Sequence, residues 1–240
     1  MMIHPQYDPV ALSLGPVEVH WYGLMYLLAF AAAFGLAWYR STKRDNWNTD
    51  MVSDLVFFGA LGVILGGRVG YVLFYQFGEF LQNPAYLFKV WEGGMSFHGG
   101  MIGVLLGMLY FARKYKKTPF QVLDFIVPCV PTGLLFGRIG NYINGELWGR
   151  VSNGGYNWLT YFPQAAATDM QQLQTNPELQ ELMLEVNGQY LLPRHPSQLY
   201  EALAEGLLLF LFLWWYSSKP RPRMAASAVF LLGYGISRFI

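Results

Sequence analysis

Apolar residues fall into six long runs, which shorter polar segments separate. Each run is close to the roughly 20 residues that an α-helix needs to cross the hydrocarbon core of a bilayer. The pattern therefore predicts an all-α polytopic membrane protein, with six transmembrane helices in this chain. The six predicted helices are Val17–Tyr39, Val52–Phe77, Gly94–Ala112, Phe120–Ile143, Ser197–Tyr216 and Met224–Ile240.

One polar insertion, Asn144–Pro196, cannot lie in lipid, because it contains acidic residues and turn-rich stretches such as Ser152-Asn153-Gly154-Gly155. We interpret it as a small head outside the membrane, with a short helix near Asn176–Val186. The expected division is a membrane core of helices one to four over residues 1–143, the head over 144–196, and core helices five and six over 197–240.

Glycines recur at every fourth position in the second and third runs. Such ridges let two membrane helices approach closely, so the spacing predicts helix packing. A phosphate-binding loop would end in Gly-Lys-Ser/Thr, and the stretch Gly66-Gly67-Arg68-Val69 lacks that ending. The glycines concerned are Gly62, Gly66, Gly70, Gly99, Gly103 and Gly107.

Composition agrees with a membrane protein, because only 13% of the residues are charged and 54% are apolar. Three alternate loops, after the first, third and fifth runs, carry ten of the sixteen Lys and Arg residues. The positive-inside rule places these loops in the cytoplasm and the N-terminus outside. No cleavable signal peptide is expected at the N-terminus. The lone Cys129 excludes an internal disulfide, and we interpret it as a small core residue.

Several ionisable residues are predicted inside the bilayer, where each costs at least ~2.5 kcal/mol. Counted from the predicted entry points, all of them fall in the outer half of the membrane; they are Arg68, His98, Arg138, Glu201, Glu205 and Arg238. Pairing with the glutamates is one explanation, and it stays open for Arg68 in particular. We expect an excess of arginine to remain, and its planar fork matches the phosphodiester of a phospholipid head group. His98 is either a packing residue or a group that transfers a proton.

The densest polar stretch at membrane depth is Gly137–Arg150, which combines a cation, two amides and an acid. A helix end followed by an Asn-Gly turn explains Asn144 and Gly145 but leaves Arg138 and Glu146 unexplained. Helical spacing would bring Arg138 and Gly145 near one face, if the helix continues that far.

This stretch resembles the signature of the bacterial prolipoprotein diacylglyceryl transferases. Further stretches do so too, in order and over essentially the whole chain: His20–Gly23, Gly93–Gly100, Arg194–Glu201 and Gly233–Arg238. The resemblance implies transfer of the diacylglyceryl group from phosphatidylglycerol to the lipobox cysteine thiol of a preprolipoprotein, with release of glycerol 1-phosphate. It also implies a bacterial cytoplasmic (inner) membrane location, with the active site towards the extracytoplasmic side. Members of that family continue into a further helix after the sixth run, whereas this sequence ends at Ile240.

The resemblance also implies roles for individual residues. Arg138 matches the arginine that binds phosphatidylglycerol, and Arg238 matches a second essential arginine. His98 and Tyr234 match catalytic positions of the family. The remaining matches to signature positions are Tyr22, Asn141, Glu146 and Gly149. We add Arg68 to the candidate substrate-binding residues because of its predicted depth.

The implied chemistry needs a thiolate and a stabilised leaving phosphate. We assign the phosphate to Arg138 and Arg238, and the thiol proton to His98, with Glu146 or Tyr234 as alternatives. No metal or other cofactor and no nucleic acid is expected. A non-enzymatic phospholipid or anion transporter is the main alternative; a phospholipid hydrolase and a structural membrane subunit are further ones.

Overall fold

The computed structural model describes residues 2–15, 17–153 and 155–239. The predicted end of the last helix at Ile240, and Gly154 of the turn-rich stretch, lie outside them. The helices are α1 (Trp21–Ser41), α2 (Thr49–Tyr75), α3 (Phe77–Gln82), α4 (Phe97–Lys114), α5 (Pro119–Ile126), α6 (Val130–Asn144), α7 (Ala166–Thr175), α8 (Ser197–Glu201), α9 (Leu209–Tyr216) and α10 (Ala225–Phe239). The strands are β1 (Met2–Ile3), β2 (Val10–Leu14), β3 (Val17–His20), β4 (Thr160–Tyr161), β5 (Leu184–Val186), β6 (Gln189–Leu191) and β7 (Pro193–Arg194).

Among the residues that the structure describes, four helical segments are long and apolar enough to cross a membrane. Two of them are composite: α5 and α6 follow one another through a short 3₁₀ turn, and α8 and α9 are joined by a π-helical segment, Ala202–Leu208. The four segments are Trp21–Ser41, Thr49–Tyr75, Pro119–Asn144 and Ser197–Tyr216. The other two predicted runs form α4 and the shorter apolar α10, so a helical membrane protein is confirmed, while six spans stay a prediction.

The expectation of an all-α chain is wrong at the N-terminus. Residues Val17–His20, predicted as the start of the first helix, form β3, which pairs antiparallel with β2. The alternation of valine with polar residues in Val17-Glu18-Val19-His20 has the period of a strand, and the helix begins only at Trp21. The third predicted run also begins later, at Phe97, because Gly93 and Gly94 adopt positive φ angles of 77° and 80°.

The chain forms two compact units, and Ala33–Pro128 with Pro220–Ala228 makes up the second. Its centre is the packing of α2 against α4 through the two glycine ridges, as the sequence predicted. A methyl group added to Gly62, Gly66 or Gly103 would collide with the backbone of the facing helix. At Gly70 it would lie 2.7 Å from Cα of Gly99. The two backbones therefore touch directly along the ridges.

The first unit contains residues up to Ala32, Cys129–Lys219 and the residues from Val229 onward. Here α6 packs against the π-helical segment at Gly206, where an added Cβ would lie 2.7 Å from Cβ of Leu135. α9 contacts α10 at Gly233, where an added Cβ would lie 2.5 Å from Cδ1 of Leu209. These close approaches set α6, the π-helical segment and α10 side by side.

The predicted head folds around a small sheet in the order β1-β4-β7. β1 runs parallel to β4, with Met2 opposite Thr160, and β7 runs antiparallel, with Arg194 opposite Thr160. The N-terminal strand thus belongs to the same sheet as residues of the insertion. His4, directly after β1, is buried, and its Nε2 lies 2.7 Å from the carbonyl oxygen of Tyr142.

The short helix expected near Asn176–Val186 is found only in part. The α-helix of this region is α7, which ends at Thr175, and Pro177–Leu182 forms a 3₁₀ helix of six residues. β5 and β6 then form a hairpin through Asn187 and Gly188, whose φ angles of 51° and 76° are those of a type I′ turn. The Asn-Gly pair between two short apolar stretches is a hairpin signal that outweighs the helical propensity of the glutamates.

A buried ion pair holds the head together. Asp169 is fully buried, and one of its carboxylate oxygens, Oδ1, accepts hydrogen bonds from Nε and Nη2 of Arg194, at 2.9 and 2.5 Å. The other oxygen, Oδ2, accepts from the backbone N–H of Leu192 at 2.9 Å. Arg194 also donates to the carbonyl of Gly149 at 3.0 Å. Both charges are therefore neutralised, and the pair ties α7 to β7.

Candidate active site

The polar signature begins inside α6 and leaves it through a glycine cap. The helix ends at Asn144, and Gly145 follows with a φ of 65°, as the Asn-Gly explanation predicts. The backbone N–H of Glu146 then returns to the carbonyl of Asn141 at 3.0 Å. Gly145 therefore lies beyond the helix, so only Arg138 and Asn141 share its last two turns.

Four charged side chains from three segments meet beside α6. Arg138 donates from Nη1 to Glu201 at 2.8 Å and from Nη2 to Glu205 at 3.5 Å. Arg238 of α10 donates from Nη1 to the same two carboxylates, at 2.7 and 3.4 Å. Glu201 ends α8 and Glu205 lies in the π-helical segment, so the four-residue spacing puts both acids on one face. We call Arg138, Arg238, Glu201 and Glu205 the charge cluster.

The two arginines and two glutamates of the charge cluster balance in formal charge. The predicted excess of positive charge is therefore not found at Arg138 and Arg238. Each glutamate contacts both arginines, and each arginine contacts both glutamates. Arg238 nevertheless keeps donors to spare: its side chain is 46% exposed, and neither Nε nor Nη2 donates to any residue that the structure describes.

Glu146 is held by two amides of the signature. The side-chain nitrogens of Asn141 and Asn144 both donate to its Oε1, at 3.0 and 3.3 Å. One carboxyl oxygen can accept both hydrogen bonds, because it carries two lone pairs. The network explains why an acid and two amides occur together, which a helix end alone does not.

The chain from Glu146 to Gly149 is fixed by the segment that leads into α8. Gln198 donates to the carbonyl of Glu146 at 2.6 Å, and Ser197 donates to that of Leu147 at 3.0 Å. The backbone N–H of Gly149 donates to the carbonyl of His195 at 3.0 Å, where an added Cβ would lie 2.6 Å from the same oxygen. Gly149 is therefore required for close approach, and this clamp positions the Glu146 side chain.

The two candidate tyrosines lie on separate helices of this unit. Tyr22, in the first turn of α1, is 40% exposed, and its hydroxyl lies 3.2 Å from that of Tyr26. Tyr234 lies one turn before Arg238 on α10 and stacks on Phe230, with ring centroids 6.0 Å apart. Tyr234 thus lies on the same helix as Arg238, and Tyr22 lies beside Tyr26.

Comparison with known proteins decides the family. The model of the family described as prolipoprotein diacylglyceryl transferase matches residues 9–240. This chain belongs to that family. It is 88% identical to the phosphatidylglycerol–prolipoprotein diacylglyceryl transferase of Psychrobacter arcticus, over 100% of this chain and 82% of the relative. It is 60% identical to the protein of that name from Acinetobacter baumannii (strain ACICU) and 61% identical to the one from Acinetobacter baylyi, in each case over 100% of this chain and 80% of the relative.

Arg68, a candidate substrate-binding residue of this diacylglyceryl transferase, lies in the second unit and is 2% exposed. It donates to the carbonyls of Leu87, Gly93 and Tyr86, at 3.2, 2.5 and 2.6 Å, with a longer contact of 3.4 Å to Gly94. Its guanidinium also lies over the ring of Tyr86 at 4.7 Å. Its partners are carbonyls of the segment that follows α2, so pairing with the glutamates, which the sequence left open, is not observed. This geometry favours a structural role, and lipid binding by Arg68 stays a prediction.

His98 lies in the first turn of α4, also in the second unit. Its side chain is exposed, and its ring meets that of Phe97 edge to face, with centroids 5.7 Å apart. Gly99 and Gly100 beside it are buried against α2, so the glycines that flank His98 serve the helix contact. The His98 side chain therefore lies at the surface of the second unit.

The Arg194–Glu201 motif was noted in the sequence, but its contacts with the segment from Glu146 to Gly149 were not predicted. Gln198 and Ser197 hold the signature loop, and Arg194 fixes Gly149 through its carbonyl. A signal was present, because Arg194 and Gln198 are polar residues beside a membrane helix. Within the described part of the chain, no three His, Cys, Asp or Glu residues are close enough to hold a metal ion.

Proposed function

We propose that this chain transfers the diacylglyceryl group of phosphatidylglycerol to the lipobox cysteine of preprolipoproteins, the first step of bacterial lipoprotein maturation. The products are a thioether-linked peptide and glycerol 1-phosphate. Membership of the family and the names of the relatives support the reaction. The observation that carries the site is the charge cluster, in which two guanidinium groups from different helices converge on one anion, the Glu201 carboxylate.

The reaction makes one bond and breaks one bond. The cysteine sulfur, as a thiolate, attacks the glyceryl carbon that carries the phosphate, a carbon–sulfur bond forms, and the carbon–oxygen bond breaks. The phosphate leaves with the electron pair of that bond, and negative charge grows on its oxygens. Arg138 and Arg238 are placed to stabilise this charge, and their effect is enhanced by the low dielectric of the membrane.

The thiol proton needs an acceptor, and we propose His98 for this step. Its exposed ring supports the assignment, and an imidazole nitrogen can accept a proton from a thiol. Glu146 remains an alternative because its second carboxylate oxygen, Oε2, has no partner among the described residues. Tyr234 remains another, one helical turn from Arg238. The dependence of transfer on pH in His98→Gln decides between them: an unchanged profile would leave His98 a packing role.

We propose that the site lies at the extracytoplasmic side of the bacterial inner membrane. The support is the asymmetry of basic residues between alternate loops, from which the positive-inside rule predicts that the N-terminus and the head are outside. Arg138, near the end of α6, lies close to the head in sequence. Phosphatidylglycerol from the outer leaflet would then reach the charge cluster without crossing the membrane.

The test incubates the purified protein with phosphatidylglycerol and a lipobox peptide. Mass spectrometry should detect a diacylglyceryl adduct on the peptide cysteine, and no adduct on a matched peptide with serine at that position. Diacylglycerol, which has no phosphate leaving group, should yield none. Absence of any adduct from folded protein would disprove the proposal, and lipid movement between vesicle leaflets without an adduct would favour the transporter.

A further inference from the structure

The neutral charge cluster raises a difficulty for a substrate phosphate. A phosphodiester carries one negative charge, and it would approach two arginines that two glutamates already neutralise. Adding a third anion to two cations in a low dielectric is strongly unfavourable. One carboxylate therefore has to give up its place, or lose its charge, before the arginines can hold the lipid.

The two glutamates differ in how easily they can leave. The Glu205 side chain is 0% exposed, and its contacts to the two arginines are the longer ones, at 3.5 and 3.4 Å. The Glu201 side chain is 22% exposed, and its two oxygens contact one arginine each, at 2.8 and 2.7 Å. Glu205 has no route to water, whereas Glu201 can swing out by rotation of its own side chain.

Glu201 also copies the shape of the expected ligand. One oxygen faces Nη1 of Arg138 and the other faces Nη1 of Arg238, so a single anion bridges two guanidinium groups. The two non-bridging oxygens of a phosphodiester can make the same pair of contacts. Arg238 has further N–H groups without a partner in the described chain, and these can take additional phosphate contacts.

We infer that Glu201 occupies the place of the substrate phosphodiester between Arg138 and Arg238, and that the arriving lipid phosphate displaces it while Glu205 stays. The inference rests on the proposed function and adds to it a residue that controls lipid entry. With Glu201 displaced, two arginines and Glu205 leave one positive charge, which one phosphodiester neutralises. Glu201 acts through the arginines, so it is a positioning residue.

The same exchange helps the product to leave. Cleavage turns the phosphodiester into a phosphate monoester, whose charge is about −1.5 to −2 near neutral pH. The arginines would hold this anion more tightly than the substrate. Return of Glu201 to its two contacts competes with the product for both arginines and accelerates its release. Lipid entry and product release thus depend on one carboxylate.

The experiment measures binding of dioctanoyl phosphatidylglycerol to the purified full chain by titration calorimetry, without peptide. Glu201→Gln keeps the shape of the side chain but removes the competing charge, so the dissociation constant should fall by about tenfold. In the transfer assay the KM for the lipid should fall, and kcat should fall as well because the product leaves slowly. A purely structural role for Glu201 would raise KM.

Glu205→Gln is the matched control, because it removes the same charge from the same cluster. It should tighten binding much less than Glu201→Gln does, since the buried Glu205 does not occupy the place of the phosphodiester. Equal tightening in both variants would mean that net charge alone matters, and would overturn the inference. An unchanged or higher dissociation constant in folded Glu201→Gln would overturn it too. Binding of dioctanoylglycerol, which has no phosphate, should be the same in wild-type and variant protein.

A second measurement on the wild-type protein avoids any folding defect of the variants. Infrared difference spectra on addition of phosphatidylglycerol should show a shifted carboxylate stretching band, as Glu201 exchanges arginine for water. No shift at saturating lipid would contradict the exchange. Neither readout needs the peptide, so absence of a transfer product would count against the proposed function alone.

Discussion

Two groups of paired arginines and acids in the first unit look alike in sequence but differ in structure. In the head, Arg194 and Asp169 are 4% and 0% exposed, and both carboxylate oxygens accept hydrogen bonds from within the fold. In the charge cluster, Arg238 is 46% and Glu201 22% exposed, and Arg238 keeps donors without partners in the described residues. The head pair is closed, whereas the charge cluster is open to an incoming anion.

The difference shows how a membrane protein separates structure from chemistry with the same residue types. A closed pair contributes only if both members stay, because a lone buried charge is costly. An open cluster can exchange one partner for a ligand of like charge. Exposure and spare donors therefore distinguish a binding arginine from a structural one better than burial in the membrane does.

The largest effect is expected from breaking the closed pair. Arg194→Met leaves the Asp169 carboxylate buried without its cation, which should lower the free energy of unfolding by about 3–5 kcal/mol. Equilibrium unfolding followed by tryptophan fluorescence in detergent measures this. The exposed Glu185 offers a matched control, and Glu185→Gln should stay within about 0.5 kcal/mol. An unchanged unfolding free energy in Arg194→Met would mean that the pair does not hold the head.

Removing one arginine of the charge cluster should slow the transfer reaction and leave the fold intact. Arg138→Ala should lower transfer by about 10²–10³-fold, because a group that stabilises the leaving phosphate is lost. Arg138→Lys keeps the charge but not the planar fork, so its activity should lie between those of Arg138→Ala and the wild type. Initial rates of adduct formation at equal amounts of folded protein measure both. Full activity of Arg138→Ala would remove this arginine from the mechanism.

A substitution at Arg68 shows whether a buried arginine that is bound only by carbonyls is structural, as the Arg194–Asp169 pair is. Arg68→Lys keeps the charge but cannot reach all of the carbonyls of Tyr86, Leu87 and Gly93, so it should cost about 2 kcal/mol. Limited proteolysis should then cut the loop at residues 83–96 faster than in the wild type. The half-exposed Lys89, which pairs with Glu92 at the surface of this loop, gives a control, Lys89→Gln, with a nearly unchanged rate. A raised KM for lipid with unchanged proteolysis would instead support a binding role for Arg68.

The smallest effect is expected at the buried His4, and it concerns how stability depends on pH. Burial lowers the pKa of His4, while its hydrogen bond to the Tyr142 carbonyl acts in the opposite direction. The unfolded chain therefore takes up a proton near pH 6.5 that the folded chain takes up only at lower pH. Stability should be constant above about pH 7 and should fall as the pH drops below about 6.5. His4→Gln should remove this dependence, measured as the unfolding midpoint between pH 8 and pH 5; an identical slope in both proteins would contradict it.

The sequence was sufficient to predict features that follow from the spacing of residues along one helix. The helical runs, the glycine contact of α2 with α4, and the common face of Glu201 and Glu205 all follow from spacing along one helix. It failed where partners come from distant segments. Nothing local indicates that Arg138 and Arg238 share the same two acids, or that Arg68 binds carbonyls of the following loop.

The head was predicted least well, because its order comes from contacts over long stretches of chain. β1 pairs with β4, more than 150 residues later in the sequence, and no periodicity can reveal such a partner. The short helix was predicted too long, because the Asn187-Gly188 turn requires Leu184–Val186 to be a strand and only Pro177–Leu182 is helical. The head pair itself joins α7 to β7, which are separated by a turn and a hairpin.

The direct backbone contact between α2 and α4 limits how far these two helices can move against each other. Helices separated by interlocked side chains can slide or roll a little as rotamers change, but bare backbones in contact have no such freedom. Arg68 fastens the connecting loop to the same pair of helices. The backbone position of His98, at the start of α4, is therefore tied to that of α2, so a displacement of the His98 backbone would move both helices together.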